Sequence, residues 1–241
     1  MNKTAIIIPS RLNAQRFPNK PLKLIKNKEM ILHVYDAAKK SKSGEVYVAS
    51  PDEEIIEKVK KYGGKAIQTS DVHKTGTDRI FEVFKKTLNS NPDIIVNLQG
   101  DMPNINPESI SYLVSYMTKN KCDIGTLASD FKNKYEIEDT NAVKVKVEGN
   151  LNDKDFLAAV DFFRKKTEST LNLYHHIGIY AFTNKALVRY VNFERSKKEI
   201  ERNLEQLRAL ENNMSIHVGY TKSPPLSVDT EKDLIEVEKL I

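Results

Sequence analysis

Three cations, Arg11, Arg16 and Lys20, fall within ten positions of one another just after the apolar run Ala5 to Ile8. Guanidinium forks match phosphate and carboxylate oxygens, and a lysine adds a compact point charge. Pro18 and Pro21 restrict the backbone on both sides of Lys20, and no glycine interrupts the stretch. The pattern predicts an anion clamp; the other reading of three loop cations is a plain basic surface. Asp101 follows a second apolar run, behind Gln99 and a glycine that permits a sharp turn or close ligand approach. A carboxylate placed there can hold a magnesium ion over phosphates, or bond its own backbone as a turn cap. Asp229 is either a helix N-cap or the second carboxylate that such an ion requires. The stretch His73 to Arg79, which contains Gly76, Thr77, Asp78 and Arg79, opens a helix. Its N–H groups and hydroxyls suit a nucleotide or sugar, and an ordinary cap by Thr77 accounts for the spacing equally well.

The elements around these residues alternate. Ala5 to Ile8 reads as a buried strand ended by Pro9, and Glu29 to Lys42 has helical apolar spacing closed by Gly44. Glu45 to Ser50 is a strand, Glu53 to Tyr62 a helix capped by Asp52, and Lys65 to Thr69 a short strand. A helix from Asp78 to about Leu88 and the strand Asp93 to Gln99 complete four strand–helix repeats, which implies right-handed crossovers in a mainly parallel sheet. Ligands of such sheets bind at the carboxyl ends of the strands, where both the cation loop and Asp101 fall. A helix from Pro107 to about Asn120 and a strand from Asp123 to Ser129 follow. The pattern then changes: Ala142 to Val147, Phe156 to Phe163 and Tyr174 to Phe182 are strands with little helix between them. Helices Lys185 to Val191 and Lys198 to Asn212, a strand Ser215 to Tyr220 and a helix Thr230 to Leu240, capped by Asp229 or Thr230, close the chain. The expected fold is α/β: a mainly parallel central sheet with helices on both faces and a smaller mixed α+β insertion. The change near residue 130 separates a half 1–130 from a half 131–241 that returns to the core sheet at its end, within one continuous domain.

At 241 residues, with 39% apolar and 29% charged residues, the chain can bury a large core, and its composition is that of a soluble protein. The single cysteine, Cys122, excludes an internal disulfide framework and fits a reducing cytoplasm. No stretch approaches a membrane span, and Met1 leads into the first strand without room for a signal peptide. The net charge of +5 is spread through helices rather than massed, so a small anionic substrate explains it without nucleic acid. Walker and dinucleotide glycine patterns are absent. Cys122 lies away from any Cys/His cluster, and the adjacent His175 and His176 must face opposite sides of a strand.

Taken together, the segments resemble the 3-deoxy-manno-octulosonate cytidylyltransferases, a family of sugar nucleotidyltransferases. The resemblance runs from Ala5 to about Glu236. It is carried by IIIPSR at Ile6 to Arg11, RFPNKPL at Arg16 to Leu22, HKTGTDR at His73 to Arg79 and VNLQGD at Val96 to Asp101. NAVKVK at Asn141 to Lys146, HHIGIYAF at His175 to Phe182, LEQLRAL at Leu204 to Leu210 and VDTEKDL at Val228 to Leu234 follow in order.

The resemblance implies the nucleotide-diphospho-sugar transferase type of α/β fold, with 1–130 binding nucleotide and 131–241 binding sugar and forming a homodimer. By it, Arg11, Arg16 and Lys20 would hold the phosphates of CTP, and Gly76 to Arg79 would fix the nucleotide. Asp101 and Asp229 would coordinate Mg2+, and Arg16 and Lys20 would act with them in catalysis. Gln99, Arg164, His176, Glu205 and Gln206 would line the sugar pocket, with Arg164 facing the sugar's carboxylate. The implied reaction joins CTP to 3-deoxy-D-manno-octulosonate (Kdo), giving CMP-Kdo and pyrophosphate for lipopolysaccharide. Two departures stand out. Met102 follows Asp101 where the family carries glutamate, and Lys165 to Thr170 replaces a family segment rich in proline, tryptophan and arginine. A related acid, 8-amino-Kdo or a sialic-acid-like nonulosonate, is the alternative substrate. A non-catalytic nucleotide- or RNA-binding protein of the same fold is the alternative of another class.

Overall fold

The computed structural model describes residues 3–13, 17–152, 155–165 and 169–241. It forms two compact units, Met1–Val114 with Pro225–Ile241, and Ser115–Pro224. The sequence pattern changes near residue 130, whereas the units part at Val114/Ser115 and again at Pro224/Pro225, so the closing stretch belongs with the first unit.

In the first unit, β1 (Thr4–Pro9) is buried from Ala5 onward. Its β-branched residues have no solvent-facing alternation, as a parallel strand covered on both sides requires. Pro9 is included rather than excluded, since it sits at the strand's last position, where its missing N–H removes no interior ladder bond. A 3-10 turn at Lys20–Leu22 leads to a small hairpin, β2 (Leu24–Ile25) and β3 (Lys28–Glu29). Lys26 and Asn27 turn that hairpin at φ 46 and φ 63, the left-handed pair that two-residue hairpin turns demand. Then come α1 (Met30–Lys40), β4 (Glu45–Ser50), α2 (Glu53–Lys61), β5 (Ala66–Gln68), α3 (Gly76–Lys86) and β6 (Ile94–Leu98). The strands run β5–β4–β1–β6, all parallel, as the repeating pattern predicts. Helix α4 (Pro107–Lys119) begins in this unit and ends in the other.

Two caps differ from the sequence reading. Asp52 occupies the N-cap of α2 but makes no side-chain cap hydrogen bond. Helix α3 starts earlier than expected, with Thr75 rather than Thr77 accepting from the Asp78 N–H.

The second unit holds β7 (Ile124–Ser129), α5 (Lys134–Glu138), β8 (Lys144–Val147), β9 (Phe156–Phe163), β10 (Leu173–Thr183), α6 (Asn184–Val191), α7 (Lys197–Arg202), α8 (Leu207–Glu211) and β11 (Ile216–Tyr220). Its pairings are mixed: β11 lies parallel to β7, while β7–β10, β10–β8, β8–β9 and β9–β11 are antiparallel. The long helix expected from Lys198 to Asn212 is two short ones, because Asn203 at φ 52 ends α7. Buried polar chemistry sets that bend. Glu199, with no exposed surface, accepts from Arg195 at 3.0 Å and from two nitrogens of Arg208 at 2.9 and 2.7 Å. The Arg208 guanidinium lies over the Tyr190 ring, 4.7 Å from its centroid.

The closing helix α9 (Glu231–Glu238) packs back on the first unit: Val228 and Val237 are buried with Ile25 and Met30, flanked by Phe17, Leu226 and Leu234. Removing one partner of a buried ion pair strands the other charge, at roughly 3–5 kcal/mol. Glu199→Ala is therefore expected to lower unfolding free energy by an amount of that order in chemical denaturation. A loss below about 1 kcal/mol, the scale of an exposed pair, would show that Arg208 finds water instead.

Candidate active site

Three remote stretches of the first unit converge on one ammonium group. Lys20 Nζ lies 3.2 Å from Asp101 Oδ2 and 3.3 Å from Asp229 Oδ1, and donates to the Val228 carbonyl at 2.8 Å. The lysine side chain is 14% exposed and the carboxylates 28% and 33%, so the cluster is partly shielded but open on one side. Backbone bonds lock the frame. Val228 N–H donates to the Asp101 carbonyl at 2.9 Å, and the buried Val228 side chain anchors the segment in the apolar cluster under α9.

The sequence left Asp229 as either cap or ligand. Thr230 takes the cap of α9 with Asp233 completing a capping box, and the Asp229 carboxylate turns toward Lys20. Asp101 likewise faces Lys20. Gly100 sits where a Cβ would come within 3.3 Å of the Pro9 carbonyl and of Ile31, so the turn after β6 packs tightly on the end of β1. Met102, beside Asp101, is buried in the core, 3% exposed.

Arg11 is exposed after β1. Arg16 lies outside the described residues. Next to Arg11, Ser10 is 7% exposed and its hydroxyl is buried with no hydrogen-bond partner among the described residues.

The motif at His73 to Arg79 divides by direction. Gly76 packs on β1, its Cβ position 3.2 Å from the Pro9 ring and 3.6 Å from Gln99 Nε2. Gln99 donates to Asn97 at 3.0 Å, and Asn97 to the buried Thr77 hydroxyl at 3.3 Å. Asp78 is half-buried and gives its N–H to the Thr75 cap. Arg79, 3% exposed, donates to Thr69 Oγ1 and to the Ser70 carbonyl at 2.9 Å. Its guanidinium thus braces the 69–76 loop from within and does not stand outward as a ligand clamp. Glu82 grips the same loop from α3. Burial alone would raise its pKa, but bonds from His73, the Ser70 N–H and Lys86 bring it down to about 2.

In the second unit, Arg164 is aimed by backbone carbonyls: its three nitrogens donate to Arg202 at 3.2 Å, Thr140 at 3.3 Å and Asn203 at 3.2 Å. Asn203 is the hinge between α7 and α8, so Arg164 lies against the turn that carries Glu205 and Gln206. The Glu205 carbonyl accepts from Tyr190 at 2.8 Å, and Gln206 is buried at the start of α8. His176 is buried beside Phe162, edge to face at 5.1 Å, and its Nε2 lies 2.9 Å from Thr126 Oγ1. Because that hydroxyl donates to the Ile179 carbonyl at 2.7 Å, its oxygen accepts from His176. Burial, with His175 adding like charge, brings the His176 imidazole down to about 3, so it is a neutral donor at pH 7.

Sequence reasoning missed Lys144. It has no exposed surface, and its ammonium donates to the Asp139 carbonyl and, at 2.7 Å, to the Arg164 carbonyl. Its place in a β-strand gave no hint that it would buttress Arg164 from inside. Cys122 is buried, and burial with the neighbouring Asp123 pushes its thiol up to about 12, which removes thiolate chemistry near pH 7.

Can the carboxylates hold a divalent ion? Among the described residues there is no group of three or more His, Cys, Asp or Glu able to hold a metal. A pair of hard oxygen donors facing a single cation fits magnesium, which commonly takes one or two carboxylates and completes its sphere with phosphate and water.

A parallel sheet ending in a cation loop and a carboxylate pair is the arrangement of a nucleotidyltransferase, and residues 5–216 match the family model described as Cytidylyltransferase. A 3-deoxy-manno-octulosonate cytidylyltransferase from Thermodesulfovibrio yellowstonii is 40% identical over 99% of this chain and 98% of its own. One from Brucella ovis is 42% identical over 96% and 93%. The solved structure of a CMP:2-keto-3-deoxy-manno-octonic acid synthetase complexed with CTP superposes with a TM-score of 0.89 at 33% identity, covering 99% of this chain and 98% of the other. A UDP-glucose pyrophosphorylase complexed with UDP-glucose shares the fold at a TM-score of 0.70 and 14% identity, covering 100% and 98%. The chain belongs to the 3-deoxy-manno-octulosonate cytidylyltransferase family.

Two outcomes follow from this geometry. An unpaired buried hydroxyl costs on the order of 1–3 kcal/mol, so Ser10→Ala should melt a few degrees above the wild type when no nucleotide is present. An unchanged melting temperature in scanning calorimetry would mean that the hydroxyl already has a partner. The His176 pKa is depressed in the folded state, so its contribution is full above the unfolded value near 6.5 and is lost as pH falls toward about 3. The stability advantage of wild type over His176→Gln should therefore shrink between pH 6.5 and 4. A gap independent of pH would mean that the imidazole takes up its proton in the fold as readily as in the unfolded chain.

Proposed function

We propose that this protein transfers the cytidylyl group of CTP to Kdo, releasing pyrophosphate. The observation that carries the reading is the cluster of Lys20 with Asp101 and Asp229, joined to the names of full-length relatives. In the reaction the anomeric hydroxyl oxygen of the keto sugar acid bonds to the α-phosphorus. The bond from that phosphorus to the β-phosphate bridge breaks, pyrophosphate leaves, and the hydroxyl proton passes to solvent water. No covalent enzyme intermediate is needed, so catalysis rests on positioning and charge neutralisation.

Asp101 and Asp229 would hold Mg2+, which when bound would neutralise phosphate charge and polarise the attacking hydroxyl. Lys20 would supply a fixed cation to the phosphates, and Arg11, exposed after β1, would add to it; Arg16 is assigned the same role by the resemblance alone. In the second unit, Arg164 would pair with the sugar's carboxylate, while neutral His176, Gln206 and Glu205 would meet hydroxyls. Arg79 contributes indirectly, by bracing the loop that begins with Ser70.

The same reading includes a homodimer, a cytoplasmic setting and a product destined for lipopolysaccharide, all resting on the resemblance. A buried free thiol at Cys122 suits a reducing compartment. No helix among the described residues is long and apolar enough to cross a membrane. The departure at residues 165–170 favours one second reading, in which a related keto sugar acid replaces Kdo at the same chemistry.

Pyrophosphate release from CTP and magnesium, with Kdo, 8-amino-Kdo and N-acetylneuraminate supplied separately, tests the substrate. Release with Kdo is expected, and release with another acid alone would move the assignment to that acid. Asp101→Asn should reduce turnover by about a hundred- to a thousandfold at ordinary magnesium, on the scale of losing an electrostatic contact to the transition state. Its circular dichroism should stay unchanged. Near-normal turnover by this variant would remove the metal role.

A further inference from the structure

Asp52 has the residue type and position of a helix cap, yet its side chain does not cap α2. Its Oδ2 instead accepts from the Leu12 backbone N–H at 2.8 Å. The Leu12 carbonyl accepts in turn from the Asn19 N–H at 3.2 Å. Asn19 stands in the left-handed region at φ 56, immediately before Lys20, a conformation that asparagine tolerates better than most residues. On its other side, Asp52 is held by its own N–H, which donates to Ser50 Oγ at 3.1 Å. Ser50 ends β4 and is fully buried.

A continuous chain of bonds thus runs from the rigid end of β4 through Asp52 and Leu12 to Asn19, and so to the base of Lys20. Both ends of the first loop meet at the Leu12 peptide, and Asp52 is the group that ties that peptide to the sheet. The charge also suits the place. Arg11 and Asp52 act on the Arg79 guanidinium with opposite signs, so the carboxylate lies among the cations of this end of the sheet and offsets their mutual repulsion.

We propose that Asp52 is a positioning residue for the reaction: through its bond to the Leu12 N–H it fixes the two ends of the first loop at Leu12 and Asn19, and with them the placement of Arg11 and Lys20 for the nucleotide phosphates. This rests on the reading of that loop as the nucleotide clamp. Asp52 touches no substrate atom; it keeps the clamp assembled before the nucleotide arrives, which spares the cost of ordering the loop on binding.

Asp52→Ser separates this role from helix capping. Serine is as good an N-cap as aspartate, so α2 keeps its start, but the shorter side chain cannot reach Leu12. Asp52→Asn keeps an oxygen for the Leu12 N–H. Full-length Asp52→Ser is expected to raise KM for CTP by about tenfold, the size of one lost charge-assisted bond, with KM for the sugar acid within about twofold of wild type. Asp52→Asn should return KM for CTP to within about threefold. Hydrogen exchange gives a readout without turnover: the Leu12 amide should exchange at least about tenfold faster in Asp52→Ser, with residues 53–61 unchanged, and regain protection in Asp52→Asn. A wild-type KM for CTP in Asp52→Ser, or an Asn variant no better than the Ser one, would overturn the proposal. So would faster exchange confined to α2. If the wild type itself released no pyrophosphate, the functional reading would fall, while the exchange comparison would still decide whether Asp52 holds the loop.

Discussion

The first unit depends on one ammonium shared between two carboxylates. Asp101 and Asp229 come from stretches more than a hundred residues apart and would repel each other if drawn together unaided. Lys20, 3.2 and 3.3 Å away, makes their approach possible, and its third bond, to the Val228 carbonyl, ties the closing stretch to the first loop. Because the side chains are only partly exposed, this attraction is screened less than a surface pair would be. The apolar cluster around Val228 and Val237 supplies the free energy that keeps the charged groups in register, since partly solvated ion pairs contribute little by themselves.

The second unit solves a related problem by other means. Its central cations, Arg164 and Lys144, are held by backbone carbonyls: Arg202, Thr140 and Asn203 for the first, Asp139 and Arg164 for the second. A carbonyl fixes a donor in direction without cancelling its formal charge, so such a cation retains the field an anionic substrate would meet. The buried ion pair of Glu199 with Arg208 has another task, to hold α7 against α8. His176 follows the same logic in neutral form, its ring hydrogen directed by Thr126 and its body packed on Phe162.

Much of this was legible in the chain. The unbroken β-branched runs at Ala5 to Ile8 and Ile94 to Val96, each followed by chemistry-bearing residues, were enough to place the cation loop and Asp101 at the ends of parallel strands. Side-chain direction was not legible. Thr77 and Arg79 sit one turn into a helix in a nucleotide-like motif, yet both are buried, because α3 lies against β1 and β6 and its first turn faces the sheet. Asp52 looked like a cap because residue type and position agree with one, and its partner forty positions upstream left no local trace. The break at Asn203 left little local trace: apolar spacing continues through it, and the left-handed residue at φ 52 is an asparagine rather than a glycine, with the Glu199–Arg208 pair bridging the bend.

The residues that turned out to face inward explain how those facing outward can work. A loop of cations has every electrostatic reason to spread, and an anion-binding site gains affinity when that tendency is suppressed before the ligand binds. Here buried or half-buried polar groups act through the backbone: Asp52 on the Leu12 N–H of that loop and, in the 69–76 loop, Arg79 on the Ser70 carbonyl and Glu82 on the Ser70 N–H. Each of these side chains is of a type that could have met substrate, and each is turned to a peptide group of an adjoining loop. A transfer reaction that needs no covalent nucleophile asks above all for fixed geometry. The chain therefore commits several of its charged residues to holding peptides still, and leaves Lys20, Asp101 and Asp229 gathered as one partly exposed cluster.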